Sequence, residues 1–414
     1  MKPIRRTVIA VLAAGALLAS AACGSGFDDD SSDSSEQQSG PVSLQILIGS
    51  SGQAETTAVQ EAAAKWASSS GNTATVTPAQ DLTQQLGQAF AGDSPPDVFY
   101  VDAGRFADYA SVGALEPYGD KISNPSDFYE SLRTTFTYDG KFYCAPKDFS
   151  TLGLVVNTAL WSKAGLTEAD IPTTWDQLTS VSQKIKGSGT VPLALGETRD
   201  RIGAFMVQAG GWITSADGKT ATADTPENLQ ALQYVQGLLK NKYAEYPKAL
   251  DAGWAGEAFG KGKAAMTIEG NWIKGALQAD FPNVKYTVHP LPAGPKGQGT
   301  LSFTNCWGIA AKSKNKDAAV KFVEAMTTAE QQLTFAKAFG VMPSRQSAGA
   351  QFTQQYPSDK AFIDGAAYAQ GPVNAPKMDS VLADFDTGLQ GLATGDPKAL
   401  LARLQKNTES ALGQ

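Results

Sequence analysis

The sequence predicts an α/β fold, and three observations carry the prediction. Short apolar runs alternate with helical patterns along the chain from about residue 41 onward. Strand-like runs are followed by polar loops and then by amphipathic or short helices, the order that builds largely parallel sheets. The chain has 414 residues, 42% of them hydrophobic and 18% charged, enough for two domains with sizeable cores.

Taken in order, "SLQILIG" (43–49) alternates as a first strand. A polar loop, "SSGQAET", leads into a helix in which Val59, Ala62, Ala63 and Trp66 share one face. "PPDVFYVD" (95–102) is a second strand, opened by prolines and closed by an acid. "LGLVVN" (152–157) is a third, and "ALWSKAG" after it is a short helix ending in glycine. "PTTWDQL" starts a helix at Trp175 behind a threonine cap. "KAAMTIEGNWI" (263–273) places a short buried strand before Glu269, Gly270 and Asn271, and lifts Trp272 out of the core at the strand end. "VKYTVHPLP" (284–292) and "NCWGIAA" (305–311) are later strands.

The first 40 residues follow other rules. A basic start, an apolar run from Val8 to Leu18 and small residues up to Cys23 form the pattern of a secretory signal peptide over 1–22. That run is far shorter than the roughly 20 residues a membrane-spanning helix needs. Cys23 after Ser20-Ala21-Ala22 looks like a bacterial lipobox, with Ser20 where leucine is usual, so Cys23 is expected to be lipidated. The acidic, serine-rich tract that completes 23–40 cannot bury enough surface to fold and reads as a tether. The expected location is outside the cytoplasm, anchored to the bacterial cell membrane by Cys23, with no later membrane span.

The formal charge is −7, and three of the basic residues, Lys2, Arg5 and Arg6, lie in the leader. No basic block follows, which excludes nucleic acid as an expected partner. With Cys23 lipidated, Cys144 and Cys306 remain, as a disulfide in an oxidising compartment or as two separate buried thiols. Two cysteines and one histidine, His289, cannot make a structural zinc site, so no metal or cofactor is expected. His289 reads as structural, in a strand-to-loop segment.

In α/β sheets, ligands sit outside the carboxyl ends of the strands. Ser51 and Gln53 after the first strand, Asp102 after the second and Asn271 after the strand before Trp272 fall at such places. Of seven tryptophans, Trp66, Trp161 and Trp175 read as core. Trp212, Trp254, Trp272 and Trp307 stand beside glycine or small polar residues, and each taken singly suits core or ligand equally. Flat rings beside carboxylates and amides suit pyranoses, whose C–H faces stack and whose hydroxyls need paired donors and acceptors.

Several segments together resemble the extracellular solute-binding proteins of sugar ABC transporters, the group that contains maltose-binding protein. They are "KAAMTIEGNW", "PPDVFYVDAGRFADYASVGALEPY" (95–118), "YDGKFYCAPKDFSTLGLVVNTALWSKAGL" (138–166), "IPTTWDQL" (171–178), "NCWGIAAKSKNKDAAVKFVEAM" (305–326) and "GVMPSR" (340–345). The resemblance implies a two-lobed fold with a hinge and an interlobe ligand cleft, crossed three times, near 147–151, 303–306 and 340–345. It divides the chain into an N-terminal lobe of 41–148 plus 306–343 and a C-terminal lobe of 149–305 plus 344–414. Cys144 and Cys306 would then lie close to two hinge strands.

By the same resemblance, Trp272 matches the sugar-stacking tryptophan, Asp148 in "PKDF" a sugar contact after the first crossing, and Arg105 the arginine of an "RF" pair. The acid before that arginine is Gly104 here, with Asp102 as its stand-in, so the match does not extend to maltose itself. Trp254, Trp307 and Arg345 are further contacts suggested by position. The function implied is that of a monomeric, non-enzymatic carrier of a neutral sugar or oligosaccharide, malto-oligosaccharides among them, delivering it to an ABC permease.

Two other readings are weighed. An exported glycoside hydrolase would need two carboxylates roughly 5 or 6.5–9.5 Å apart, for which Asp148 and Glu269 are available. Glu269 suits better a solvated acid at a strand end, or a cap for the next helix. No nucleophile motif such as GxSxG appears. A binding protein for a peptide, polyol or charged solute is the third reading, and no cluster of Arg and Lys favours an anion.

Overall fold

The computed structural model describes residues 40–414; the signal peptide, Cys23 and nearly all of the tether lie outside the described residues. The strands in chain order are β1 (Ser43–Ile48), β2 (Thr73–Pro78), β3 (Val98–Asp102), β4 (Thr137–Tyr138), β5 (Lys141–Phe142), β6 (Ala145–Pro146) and β7 (Ser150–Asn157). They continue as β8 (Val191–Ala194), β9 (Ala244–Glu245), β10 (Ala264–Gly270), β11 (Tyr286–His289), β12 (Thr300–Phe303), β13 (Asn305–Ile309) and β14 (Ala369–Gln370).

Two sheets organise these strands. The first runs β2-β1-β3-β13-β6, and the second β14-β12-β7-β10-β8-β9 with β11 also on β7. β4 and β5 form a separate hairpin. In β1, Leu44, Ile46 and Ile48 are buried and their neighbours face outward, the alternation the sequence shows. The helix Gln53–Ser70 lays Val59, Ala62, Ala63 and Trp66 against this sheet and ends on Gly71, in the left-handed conformation that suits glycine. Trp66 meets Phe322 edge to face at 5.3 Å.

Each sheet has its own core. One cluster joins β1, β3 and β13 to the helices Gln53–Ser70 and Lys316–Met326. The other surrounds β7, β8 and β10 with Trp161, Trp175 and the helices Arg199–Ala209, Pro226–Lys240 and Asp379–Gln390. β7 and β10 are buried along their whole lengths, as strands covered on both faces must be. A third, smaller cluster of Leu132, Phe149, Ala336, Met342, Phe352 and Phe362 fills the region where the chain passes from one sheet to the other.

The sheets are mixed, not largely parallel. β1 pairs parallel with β2 and β3, and β8 with β9 and β10. β13 is antiparallel to β3 and β6, and β7 to β10, β11 and β12. The cause is connectivity. Only residues 147–149 separate β6 from β7, and only Thr304 separates β12 from β13. Strands that run directly from one sheet to the other have no room for the crossover that parallel pairing needs. A further passage joins the helices Ala329–Phe339 and Gln346–Gln355, with Met342 bridged to Phe149. Cys144, just before β6, and Cys306, in β13, are joined by a disulfide, their Cα atoms 5.7 Å apart.

Candidate functional site

β10 ends at Gly270, and the chain turns there into the helix Ile273–Asp280. The turn leaves Trp272 37% exposed, one of two large apolar side chains so exposed among the described residues. Its indole folds back over Gly270, where any Cβ would overlap the ring. Its Nε1 donates to Glu269 Oε2 at 2.9 Å, and Phe303 meets it edge-on at 5.1 Å.

The rest of Trp272 faces a cavity of about 470 Å³ walled by both sheets and by the segments that join them. From the first sheet come Ser51, Glu55, Asp102 and Gly104; from the second, Arg199, Asp200, Trp212, Asn271 and Phe303. The joining segments add Lys147, Asp148, Ser150 and Thr304. A more open groove of about 960 Å³ lies along Tyr129–Thr135 and Gln346–Thr353 and shares Trp212 and Gln370–Pro372 with the cavity. It holds none of the Trp272, Asp148 and Asp102 cluster, so the smaller cavity is the candidate site.

Electrostatically, the floor is a three-charge cluster. Lys147 Nζ is 3.0 Å from Glu55 Oε1 and also pairs with Asp148. All three residues are buried. Ser51 donates to Glu55 Oε2 from its backbone N at 2.8 Å and its hydroxyl at 2.7 Å, and the Tyr100 hydroxyl donates to Oε1 at 3.1 Å. Burial pushes Glu55 upward, but the Lys147 charge and the Ser51 bonds together hold it below the ordinary glutamate value. Burial also raises Asp148, and there it wins over the attraction of Lys147, helped by the nearby Glu55 charge. Lys147 is held above the ordinary lysine range because two carboxylates overcome its desolvation.

The structure brings together five of the residues expected as ligand contacts. Trp272, Asp148, Asp102, Ser51 and Asn271 all line the cavity. Asp102 also caps the helix Ala103–Ser111, accepting from Gly104 N at 2.8 Å. Asn271 ties the strand end to the joining segments, through its N–H to Ser150 Oγ at 3.0 Å and its Nδ2 to Gly340 O at 2.8 Å.

Five others lie elsewhere. Gln53 is exposed on the first turn of its helix and bonds Thr57. Arg105 is absent from the cavity lining and pairs with Asp379. Trp254 packs on Gly256 and the cluster of Phe259, Ile273 and Leu277. Trp307 is 1% exposed in β13, edge to face with Tyr100 at 4.8 Å. Arg345 is buried, 4.2 Å over the Phe128 ring, and donates to Thr327 O and Asn124 O, a structural clasp. Proximity to glycine misleads for Trp307 because Gly308 serves sheet packing; a Cβ there would press on Val101 and Phe99.

Glu269 is not a solvated strand end. It is 1% exposed and pairs with Arg201 at 2.6 Å, outside the cavity lining. Glu55, Lys147, Arg199 and Asp200 line the cavity and sequence reasoning passed over them. The signal for Glu55 is its place one helical turn after Ser51, and for Lys147 its adjacency to Asp148.

A family model described as "bacterial extracellular solute-binding protein" matches residues 49–333. The chain belongs to the bacterial extracellular solute-binding proteins. Membership places it outside the cytoplasm, and the family and its structural neighbours are binding proteins. This solute-binding protein is 27% identical over 287 residues to the diacetylchitobiose binding protein DasA of Streptomyces coelicolor, a match covering 64% of each chain. Its fold is that of the cyclic α-maltosyl-1,6-maltose binding protein of Arthrobacter globiformis, with a TM-score of 0.80 at 22% identity over 90% of this chain and 99% of the other. The GacH receptor of Streptomyces glaucescens, described unliganded and with acarbose, aligns at a TM-score of 0.76 and 23% identity over 90% and 99% of the two chains. These neighbours are two-lobed sugar-binding proteins, and the two-lobed α/β architecture is shared.

Proposed function

We propose that the protein captures a sugar or oligosaccharide in the cavity around Trp272 and hands it to the permease of an ABC importer. The observation that carries this reading is the half-exposed indole of Trp272 in a cavity also lined by carboxylates, an amide and hydroxyls. Such a wall suits the C–H face and the hydroxyl rim of a pyranose. The ligands in the names of the family relatives, diacetylchitobiose and maltotriose, fit the same chemistry.

The lobes are 41–148 plus 306–343 and 149–305 plus 344–414, closing about the joining segments. Binding favours the closed arrangement by the difference in affinity between the two states. The protein acts as a monomer, held to the outer face of the cell membrane by lipidated Cys23 after removal of 1–22, with 23–40 as the tether. The hydrolase pairing of Asp148 with Glu269 is disfavoured because Glu269 is ion-paired with Arg201 behind Trp272 and does not face the cavity.

A thermal-shift screen over mono-, di- and oligosaccharides, with amino acids and polyols alongside, tests the reading, since tight ligands raise the melting temperature by mass action. A saccharide is expected to give the largest rise. Stabilisation by an amino acid or polyol alone would contradict it, and hydrolysis of the saccharide in the same samples would favour the enzyme.

A further inference from the structure

Trp272 is held from behind by an assembly that does not itself line the cavity. Arg201, in the first turn of the helix Arg199–Ala209, sets its guanidinium 5.1 Å from the Trp272 ring centroid and 5.8 Å from that of Phe303. Its Nη2 donates to Glu269 Oε2 at 2.6 Å and its Nη1 to Asp200 O at 3.0 Å. The same oxygen, Glu269 Oε2, accepts the Trp272 indole N–H at 2.9 Å. Two glycines make this possible. A Cβ on Gly196 would stand 2.8 Å from Arg201 Cγ, and one on Gly270 would overlap the indole.

A single carboxylate oxygen therefore couples a planar cation and an indole whose ring lies beside that cation. Both charges are largely withdrawn from water, where cation–π contacts and charge-assisted hydrogen bonds are stronger than at a surface. Lysine could keep the charge but not the planar fork.

We propose that Arg201 and Glu269 are positioning residues for Trp272, fixing the plane and the N–H direction of the indole before a ligand arrives. The role in binding rests on the sugar reading above; the orientation of the ring does not. The pair acts through Trp272 and touches no ligand itself, which extends the site by one layer behind the cavity wall.

The test uses the full-length protein labelled with ¹⁵N at the indoles. The Trp272 Nε1–H resonance is assigned by its loss in Trp272→Phe, and its shift and solvent exchange are read without ligand. R201K is expected to move the resonance and speed its exchange. The double variant R201M/E269M, which removes both charges together, should do so further. E269Q, which keeps an acceptor oxygen, should restore slow exchange relative to that double variant. Titration of the same variants with maltotriose and with N,N′-diacetylchitobiose should show about tenfold weaker binding for R201M/E269M and a smaller loss for E269Q. An indole resonance with unchanged shift and exchange in R201K would overturn the proposal, even if the double variant failed to fold. If the parent bound neither saccharide, the sugar reading would lose support while the resonance still judged the positioning.

Discussion

Removing the Trp272 ring removes the half-exposed apolar face that the end of β10 presents to the cavity. Trp272→Ala is expected to weaken saccharide binding by about tenfold or more, with little change in melting temperature, because the ring is 37% exposed in the native state. Calorimetry and thermal melts on the same variant check both halves. Glu55 makes the second residue-level prediction. Its value is held below the ordinary 4.5, so its stabilisation is complete above about that pH and is lost as pH falls through the depressed native value. Glu55→Gln should cost about 2 kcal/mol near neutral pH and make the acid limb of the stability curve shallower in urea titrations. Trp272 was legible because the strand Ala264–Gly270 ends visibly in the sequence. Trp307 and Arg345 were not, because a residue beside glycine or after a crossing carries no mark of whether the chain buries it. The cluster of Glu55, Lys147 and Asp148 brings together positions 92 residues apart, which periodicity cannot show.

The strands were legible where burial is one-sided or continuous. β1 alternates, β7 and β10 are buried throughout around the apolar stretches Leu152–Val156 and Ala264–Ile268, and each lies close to its expected place. What local pattern could not give was direction. β6 to β7 and β12 to β13 are direct passages between sheets, and only the tertiary path makes them antiparallel to their neighbours. The disulfide belongs to this scale, since it staples residue 144, just before β6, to β13. It closes a loop of 162 residues in sequence, worth up to about 5 kcal/mol in the chain-entropy account. Reduction, or the double substitution of Cys144 and Cys306 by serine, should lower the melting temperature by several degrees. If the bond staples only the first sheet, saccharide affinity below that melting range should hold within about threefold.

At the scale of the molecule, the proposed lobes also meet away from the joining segments. Arg105 pairs with Asp379, Lys377 N donates to Asp108 Oδ1 at 2.8 Å, and Asn374 Nδ2 donates to Thr137 O at 3.0 Å. Arg105, expected from resemblance to touch sugar, pairs with Asp379. Its pair with Asp379 is partly exposed, so it should add modestly and fade with salt. Arg105→Ala is expected to weaken saccharide binding about two- to fivefold at low salt, with the difference from the parent shrinking in 0.5 M salt, a concentration at which the screening length is only about 4–5 Å. An equal deficit at both salt concentrations would argue for direct contact with the ligand. The two-lobed plan itself was legible only through the ordered set of segments, since no single motif encodes a hinge.

Titration calorimetry of the parent and Trp272→Ala, side by side against a saccharide panel, tests the central claim most directly. The account predicts one-to-one binding of at least one saccharide at micromolar affinity or tighter, roughly −8 kcal/mol, and a loss of about tenfold or more in the variant. Binding of the same saccharide with equal affinity by both proteins, or no saccharide binding to the parent at all, would contradict it.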